Sequence, residues 1–192
     1  ASALQLARSL NAEIKAVDFS SEFLEMLMDR AGRNGLQSKL DTVLESMDKL
    51  QFEDEELDVI WSEGAIYNVG FEQGVKSWRR FLKPGGVLAV SEITWTTDDR
   101  PAEIQRYWEA AYPEIATASA KIRLLEKHGY SPLGYFVLPE HCWLENYYRP
   151  MQAGFEGFLE RHRHSPQARA IVEAEQLEIA LYEEHRTSFS YG

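Results

Sequence analysis

Asp18 closes the short run Ile14-Lys15-Ala16-Val17. A carboxylate at the C-terminal tip of a parallel strand can accept hydrogen bonds from both hydroxyls of a ribose, as nucleotide-binding α/β folds do repeatedly. Its plainer reading is a helix-capping or solvated acid. A second polar set, Ser62-Glu63-Gly64-Ala65, follows the apolar run Leu57-Asp58-Val59-Ile60-Trp61. Gly64 lets the backbone approach a ligand closely, and Glu63 brings a carboxylate to the same rim. Ser91 and Glu92 end a third run, Val87-Leu88-Ala89-Val90. Open α/β sheets bind ligands at this end of their strands. The groups there that can move a proton are Glu63, Tyr67 and Glu92, with His141 from further along the chain; none stands in a diagnostic motif. Trp95, Trp108, Trp143, Tyr147 and Tyr148 suit a lid over an apolar or cationic substrate, but packing within a cap is the more economical reading. In His162-Arg163-His164 the two imidazoles lie two residues apart, so on a helix they point in different directions. We read a solvated face there, and no metal site.

These residues need elements to hold them. Phe71, Val75, Trp78 and Leu82 recur at helical spacing. Pro84 cannot continue that helix, and Gly85 and Gly86 are expected to supply positive φ for a tight reversal. Val87 to Val90 then runs apolar without alternation, as a strand covered on both faces would. Upstream, a helix carrying Ala3, Leu6, Ala7 and Leu10 is expected to be already under way at Ala1, and a strand ends at Asp18. Ser20 or Ser21 caps a helix with Phe23, Leu24, Leu27 and Ala31 inward, stopped by Gly32 or Gly35. Leu40 to Leu44 is a strand, and Glu53-Asp54-Glu55-Glu56 a solvated acidic turn. Strands alternating with helices argue a parallel sheet wrapped by helices.

Beyond Glu92 the character changes. Ile93 to Arg100 reads as a polar loop, and Pro101 opens a helix with Ile104, Tyr107, Trp108 and Ala111 inward. Ile115 to His128 is a second helix capped by Gly129, and Leu133 to Leu138 a strand. Met151 to Arg186 is mostly helix, broken near Ser165-Pro166, and Ser188 to Gly192 begins a strand. The chain of 192 residues, 44% hydrophobic, suits one domain with a core of its own. With 20 basic and 31 acidic residues its net charge is -11, which repels phosphate backbones and anionic lipid. Nucleic acid and membrane are therefore poor partners. The single Cys142 builds no disulfide framework and suggests a cytoplasmic setting. Nothing in the sequence specifies an oligomer.

Four stretches in order resemble the class I S-adenosylmethionine-dependent methyltransferases, in the small-molecule branch of ubiquinone/menaquinone-biosynthesis type. They are Ala16-Val17-Asp18-Phe19-Ser20, Glu45 to Phe52, Leu57 to Ala65, and Leu82-Lys83-Pro84-Gly85-Gly86 with its following strand. The resemblance implies a Rossmann-like, mostly parallel sheet sandwiched by helices, with a helical and aromatic cap. It implies one domain over 1–192, with a cofactor-binding half over 1–95 and a substrate-side cap with the last strands over 96–192. The implied activity is methyl transfer from S-adenosylmethionine to a small-molecule acceptor, leaving S-adenosylhomocysteine. A non-catalytic binder of that cofactor is the alternative. Asp18, Phe19, Ser46, Met47, Glu63 and Gly64 fall at the cofactor-binding positions. Where Ser46 stands the family often has an acid. The family's first strand and Gly-rich loop are expected upstream of Ala1 and most of its last strand beyond Ser188, so the sequence reads as a fragment.

Overall fold

A computed structural model describes residues 2–192, so the expectation of a helix already under way at Ala1 lies outside the described residues. The chain forms two compact units, Ala1–Glu56 and Leu57–Gly192.

The first unit contains α1 (Ser2–Ser9), β1 (Ile14–Asp18), α2 (Ser21–Arg33) and β2 (Leu40–Leu44). β1 and β2 pair in parallel, in a register that sets Asp18 opposite Leu44. Ala7, Ala31 and Leu40 form the buried seam, with Leu4, Ile14 and Met28 packed against it. Ser20 caps α2 by accepting the Phe23 amide hydrogen at 3.4 Å. Gly35 ends it at φ +68°, and the Leu36 amide returns to the Ala31 carbonyl at 2.9 Å, the closure that a left-handed residue makes available. The inward stripe is narrower than the spacing suggested, because Leu24 and Ala31 are buried while Phe23 is 61% exposed. The acidic turn is not simply solvated: Glu56 pairs with Lys15 of β1 and accepts the Glu53 amide at 2.9 Å.

The second unit begins with β3 (Leu57–Glu63), α3 (Phe71–Trp78), β4 (Leu82–Ser91) and β5 (Ile93–Trp95). It continues with α4 (Ala102–Ala111), β6 (Ala116–Thr117), α5 (Ala118–Lys127) and α6 (Glu140–Trp143). α7 (Arg149–Arg161), α8 (Pro166–His185) and β7 (Phe189–Tyr191) complete it. A single π-helical turn, Leu144–Tyr148, joins α6 to α7.

β3 and β4 pair in parallel, but the register jumps from Leu57 opposite Leu82 to Val59 opposite Val87. The four residues Lys83 to Gly86 thus lie opposite Asp58 alone. The helix ends well before Pro84, a 3₁₀ turn over Arg79–Phe81 follows, and Leu82 belongs to the strand. Gly85 has the expected positive φ of +80°. Gly86 does not, and its role is space. A Cβ there would lie 3.0 Å from the Lys83 carbonyl oxygen and 3.1 Å from that of Asp58. Val87 to Val90 are half-buried rather than covered on both faces, in a sheet two strands wide.

Two further expectations fail. Ile93–Trp95 is a buried strand, not a loop, parallel to β6 on one side and antiparallel to β7 on the other. Leu133 to Leu138 forms no strand; its one ladder-like bond is from the Leu138 amide to the Tyr191 carbonyl at 2.8 Å, and Leu133 and Phe136 are exposed. The aromatic residues mostly pack. Trp143 stacks on Tyr182 at 4.7 Å and Tyr191 at 5.1 Å, and its indole N–H donates to Ser190 Oγ at 3.0 Å. Trp95, Trp108 and Tyr148 share that core, whereas Tyr147 is about half exposed. Ala111, expected inward, is exposed.

Gly86→Ala is expected to destabilise the protein by about 1–3 kcal/mol, the usual cost of overpacking against atoms that cannot move aside. A urea unfolding midpoint checks this; a midpoint equal to that of the wild type contradicts it.

Candidate functional site

In the first unit the β1–β2 pairing brings the expected nucleoside-side residues to one end of the sheet. The Glu45 amide donates to the Asp18 carbonyl at 3.1 Å, so the chain leaves β2 beside the tip of β1. Asp18 is half-buried, and its Oδ1 accepts the Ser20 amide hydrogen at 2.8 Å, which fixes the carboxylate's orientation. Phe19 is 78% exposed. Ser46 is exposed and Met47 half-buried. The Ser46 hydroxyl donates to Asp48, and that bond holds the Asp48 carboxyl below its ordinary value. An acid thus stands against Ser46, at a position the sequence reading did not single out.

In the second unit, Gly64 follows the end of β3 at φ +53°, and its amide donates to Ser91 Oγ at 2.9 Å. The Tyr191 ring lies 3.6 Å from where a Gly64 Cβ would stand. Glu63 is exposed, opposite Ser91 in the ladder. Glu92, one residue beyond β4, is only 3% exposed. Its backbone exchanges two hydrogen bonds with Gly192, each 3.0 Å.

The Glu92 side chain meets two groups that the sequence reading missed. Tyr112, at the end of α4, donates to Oε1. Lys121 Nζ, on α5 and 4% exposed, lies 3.2 Å from the same oxygen and 2.9 Å from the Tyr112 hydroxyl. Glu92 Oε2 is buried with no hydrogen-bond partner. Burial pushes the Glu92 carboxyl up, against the opposing pull of Tyr112 and Lys121. Burial pushes the Lys121 ammonium down, although Glu92 favours its charged form. Both groups move toward neutrality because withdrawing two charges from water costs more than one ion contact recovers. Tyr112 is driven up by burial and by the neighbouring carboxylate. The ammonium also sits over the Phe71 ring at 4.4 Å and the Tyr112 ring at 4.9 Å, where the ring faces offset part of its lost hydration.

Tyr67 packs edge-on against Tyr112, with centroids 6.1 Å apart, and is 45% exposed. Two of the proton-handling candidates, Tyr67 and Glu92, are therefore joined through Tyr112. His141 is exposed on the first turn of α6, and His162, Arg163 and His164 are exposed where α7 ends. A lysine on an amphipathic helix reads as solvated, so nothing local to Lys121 signals its burial.

Residues 1–90 match the family model for a methyltransferase domain. The match falls on the stretch that carries the resemblance. The chain is 33% identical over 97 residues to methyltransferase GfsG of Streptomyces halstedii, an overlap of 49% of this chain and 35% of that protein. It spans less than half the length of the curated relatives it matches. A methyltransferase from Geobacter sulfurreducens, solved with S-adenosylhomocysteine, superposes with TM-score 0.80 at 17% identity, covering 97% of this chain and 76% of that one. The [4+2]-cyclase SpnF superposes with TM-score 0.75 at 20% identity, covering 98% and 67%. The fold is the Rossmann-like α/β fold of these proteins.

Lys121→Met leaves Glu92 without its cation and is expected to cost about 3–5 kcal/mol at neutral pH, as breaking a buried pair does. A carboxyl whose folded pKa is raised contributes its full stability below the unfolded value and loses it as pH rises through the folded one. The deficit of the variant should therefore be smallest in acid and grow toward neutral pH. Unfolding midpoints measured across that range check this; a deficit independent of pH contradicts it.

Proposed function

We propose that this chain carries out methyl transfer from S-adenosylmethionine to a small-molecule acceptor, leaving S-adenosylhomocysteine. The observation that carries the reading is the methyltransferase-domain match over residues 1–90. The reading gives roles to named residues of each unit. Asp18, held by the Ser20 amide, would accept the two ribose hydroxyls. The exposed Phe19 ring and half-buried Met47 would flank the adenine, and the Ser46–Asp48 pair would accept its amino hydrogens. Glu63 and Gly64 would stand on the methionine side. In this reading 1–95 is the cofactor half and 96–192 the substrate side. The lone Cys142 supports a cytoplasmic setting.

When bound, the cofactor supplies a sulfonium methyl group with an excellent leaving group, so much of the protein's task is positioning and exclusion of water. The chain's own groups would hold the acceptor against that methyl group and take up its proton. An acceptor bearing a proton must then release it. Glu92 is the group best suited to take it, because burial raises its proton affinity and Oε2 is not engaged by Tyr112 or Lys121. Tyr67 would lie at the mouth of the same cluster, with Glu63 and His141 as more exposed alternatives.

One observation favours a second reading, a cofactor-binding protein of this fold that does not transfer methyl groups. A close structural match is a [4+2]-cyclase, so fold alone does not fix the chemistry.

Calorimetry with S-adenosylhomocysteine tests the cofactor assignment common to both readings. Binding is expected, weakened by about 1–3 kcal/mol in Asp18→Ala through loss of charge-assisted hydrogen bonds. No binding by the folded wild-type protein, or equal binding by the variant, overturns it.

A further inference from the structure

Outside the strand-end cluster the second unit holds another buried titratable group with no hydrogen-bond partner. His185 ends α8, is 7% exposed, and its Nε2 is buried without a hydrogen bond. Two carboxylates stand near this imidazole: Glu103 from the first turn of α4 and Glu184 from the last turn of α8. One ligand atom from each of the three residues lies within 4.8 Å of the other two. The Glu103 oxygen nearest to Nε2 is 3.6 Å away.

That separation decides between two kinds of contact. It is too long for a hydrogen bond, whose N···O distance is about 2.7–3.2 Å. It is close to what two ligands of one tetrahedral cation show, since bonds of about 2.0–2.1 Å set their donor atoms about 3.4 Å apart. Among the described residues neither Glu103 nor Glu184 has a basic partner other than His185. The group of three offers one imidazole nitrogen and two carboxylate oxygens, a donor set that suits a divalent cation. The C-terminal end of a 20-residue helix adds to this, because the helix dipole favours positive charge there.

We propose that Glu103, Glu184 and His185 form a divalent transition-metal site. Imidazole with carboxylates suits zinc and its neighbours rather than calcium or magnesium, which prefer all-oxygen shells. With three protein ligands, water completes the coordination. The site clasps the start of α4 to the end of α8. Those helices also carry Trp108 and Tyr182 of the aromatic core, so the metal acts as a structural fastener of the second unit. The sequence gives no sign of this, because Glu103 lies far along the chain from Glu184 and His185 and no ligand-spacing motif connects them.

Titration of the purified protein with zinc chloride at neutral pH, followed by calorimetry, tests the proposal. Glu103→Gln and Glu184→Gln are the variants, because both side chains are exposed and their loss leaves the core intact. One equivalent of zinc is expected to bind and to raise the melting temperature, with affinity at least tenfold weaker in each variant and metal-free melting unchanged. Absence of zinc binding by the wild type overturns the proposal. So does wild-type affinity in either variant, which would place any bound zinc elsewhere, for instance at Cys142.

Discussion

The constraint on which the second unit depends is the burial of Glu92 together with Lys121. Neither charge can be left alone in so dry a place, and each element that supplies a partner is thereby fixed. Lys121 commits α5, Tyr112 commits the end of α4, and Phe71 at the start of α3 lies under the ammonium. The two backbone bonds between Glu92 and Gly192 bring the end of the chain to the same point. Helices and strands distant in sequence converge there because the alternative is an uncompensated charge. Well-packed apolar side chains often fill such a volume as well or better.

Much of the first unit could be read from the sequence because its signals are local. Ser20 caps a helix by its own geometry, Gly35 ends it by its positive φ, and Leu40–Leu44 is a short β-rich run bounded by turns. The Pro-Gly-Gly stretch was legible as a break but not in its form. What Gly86 accommodates is the close approach of the Asp58 and Lys83 carbonyls, which belong to a pairing that only the folded ladder creates. The errors share that cause. Ile93–Trp95 becomes a strand because β6 and β7 flank it, whereas Leu133 to Leu138, equally apolar, finds no ladder partner along its length. Strand formation depends on neighbours more than on intrinsic preference.

The same distinction holds for the candidate sites. Asp18, Gly64 and Glu92 are visible because each closes or follows an apolar run, and parallel strands present such positions to ligands. Tyr112, Lys121 and Asp48 were not visible. Their roles come from what they touch, and a lysine on a helix or an aspartate in a loop carries no sign of its partner. The methyltransferase-domain match covers residues 1–90; Glu92 lies just beyond it, and its partners Tyr112 and Lys121 lie further along the chain. Residues that recognise a shared cofactor can be recognised by comparison with other proteins, while residues that suit one acceptor must be found from the contacts of this chain.

The claim that Glu92 is a buried carboxyl with raised proton affinity can be measured directly by carbon-13 NMR titration of the glutamate side-chain carboxyls, with Glu92→Gln to assign the resonance. The account predicts a midpoint for Glu92 above the ordinary value of 4.5. A midpoint at or below that value would mean that Lys121 and Tyr112 outweigh burial. Glu92 would then be a structural anion rather than a group suited to accept a proton.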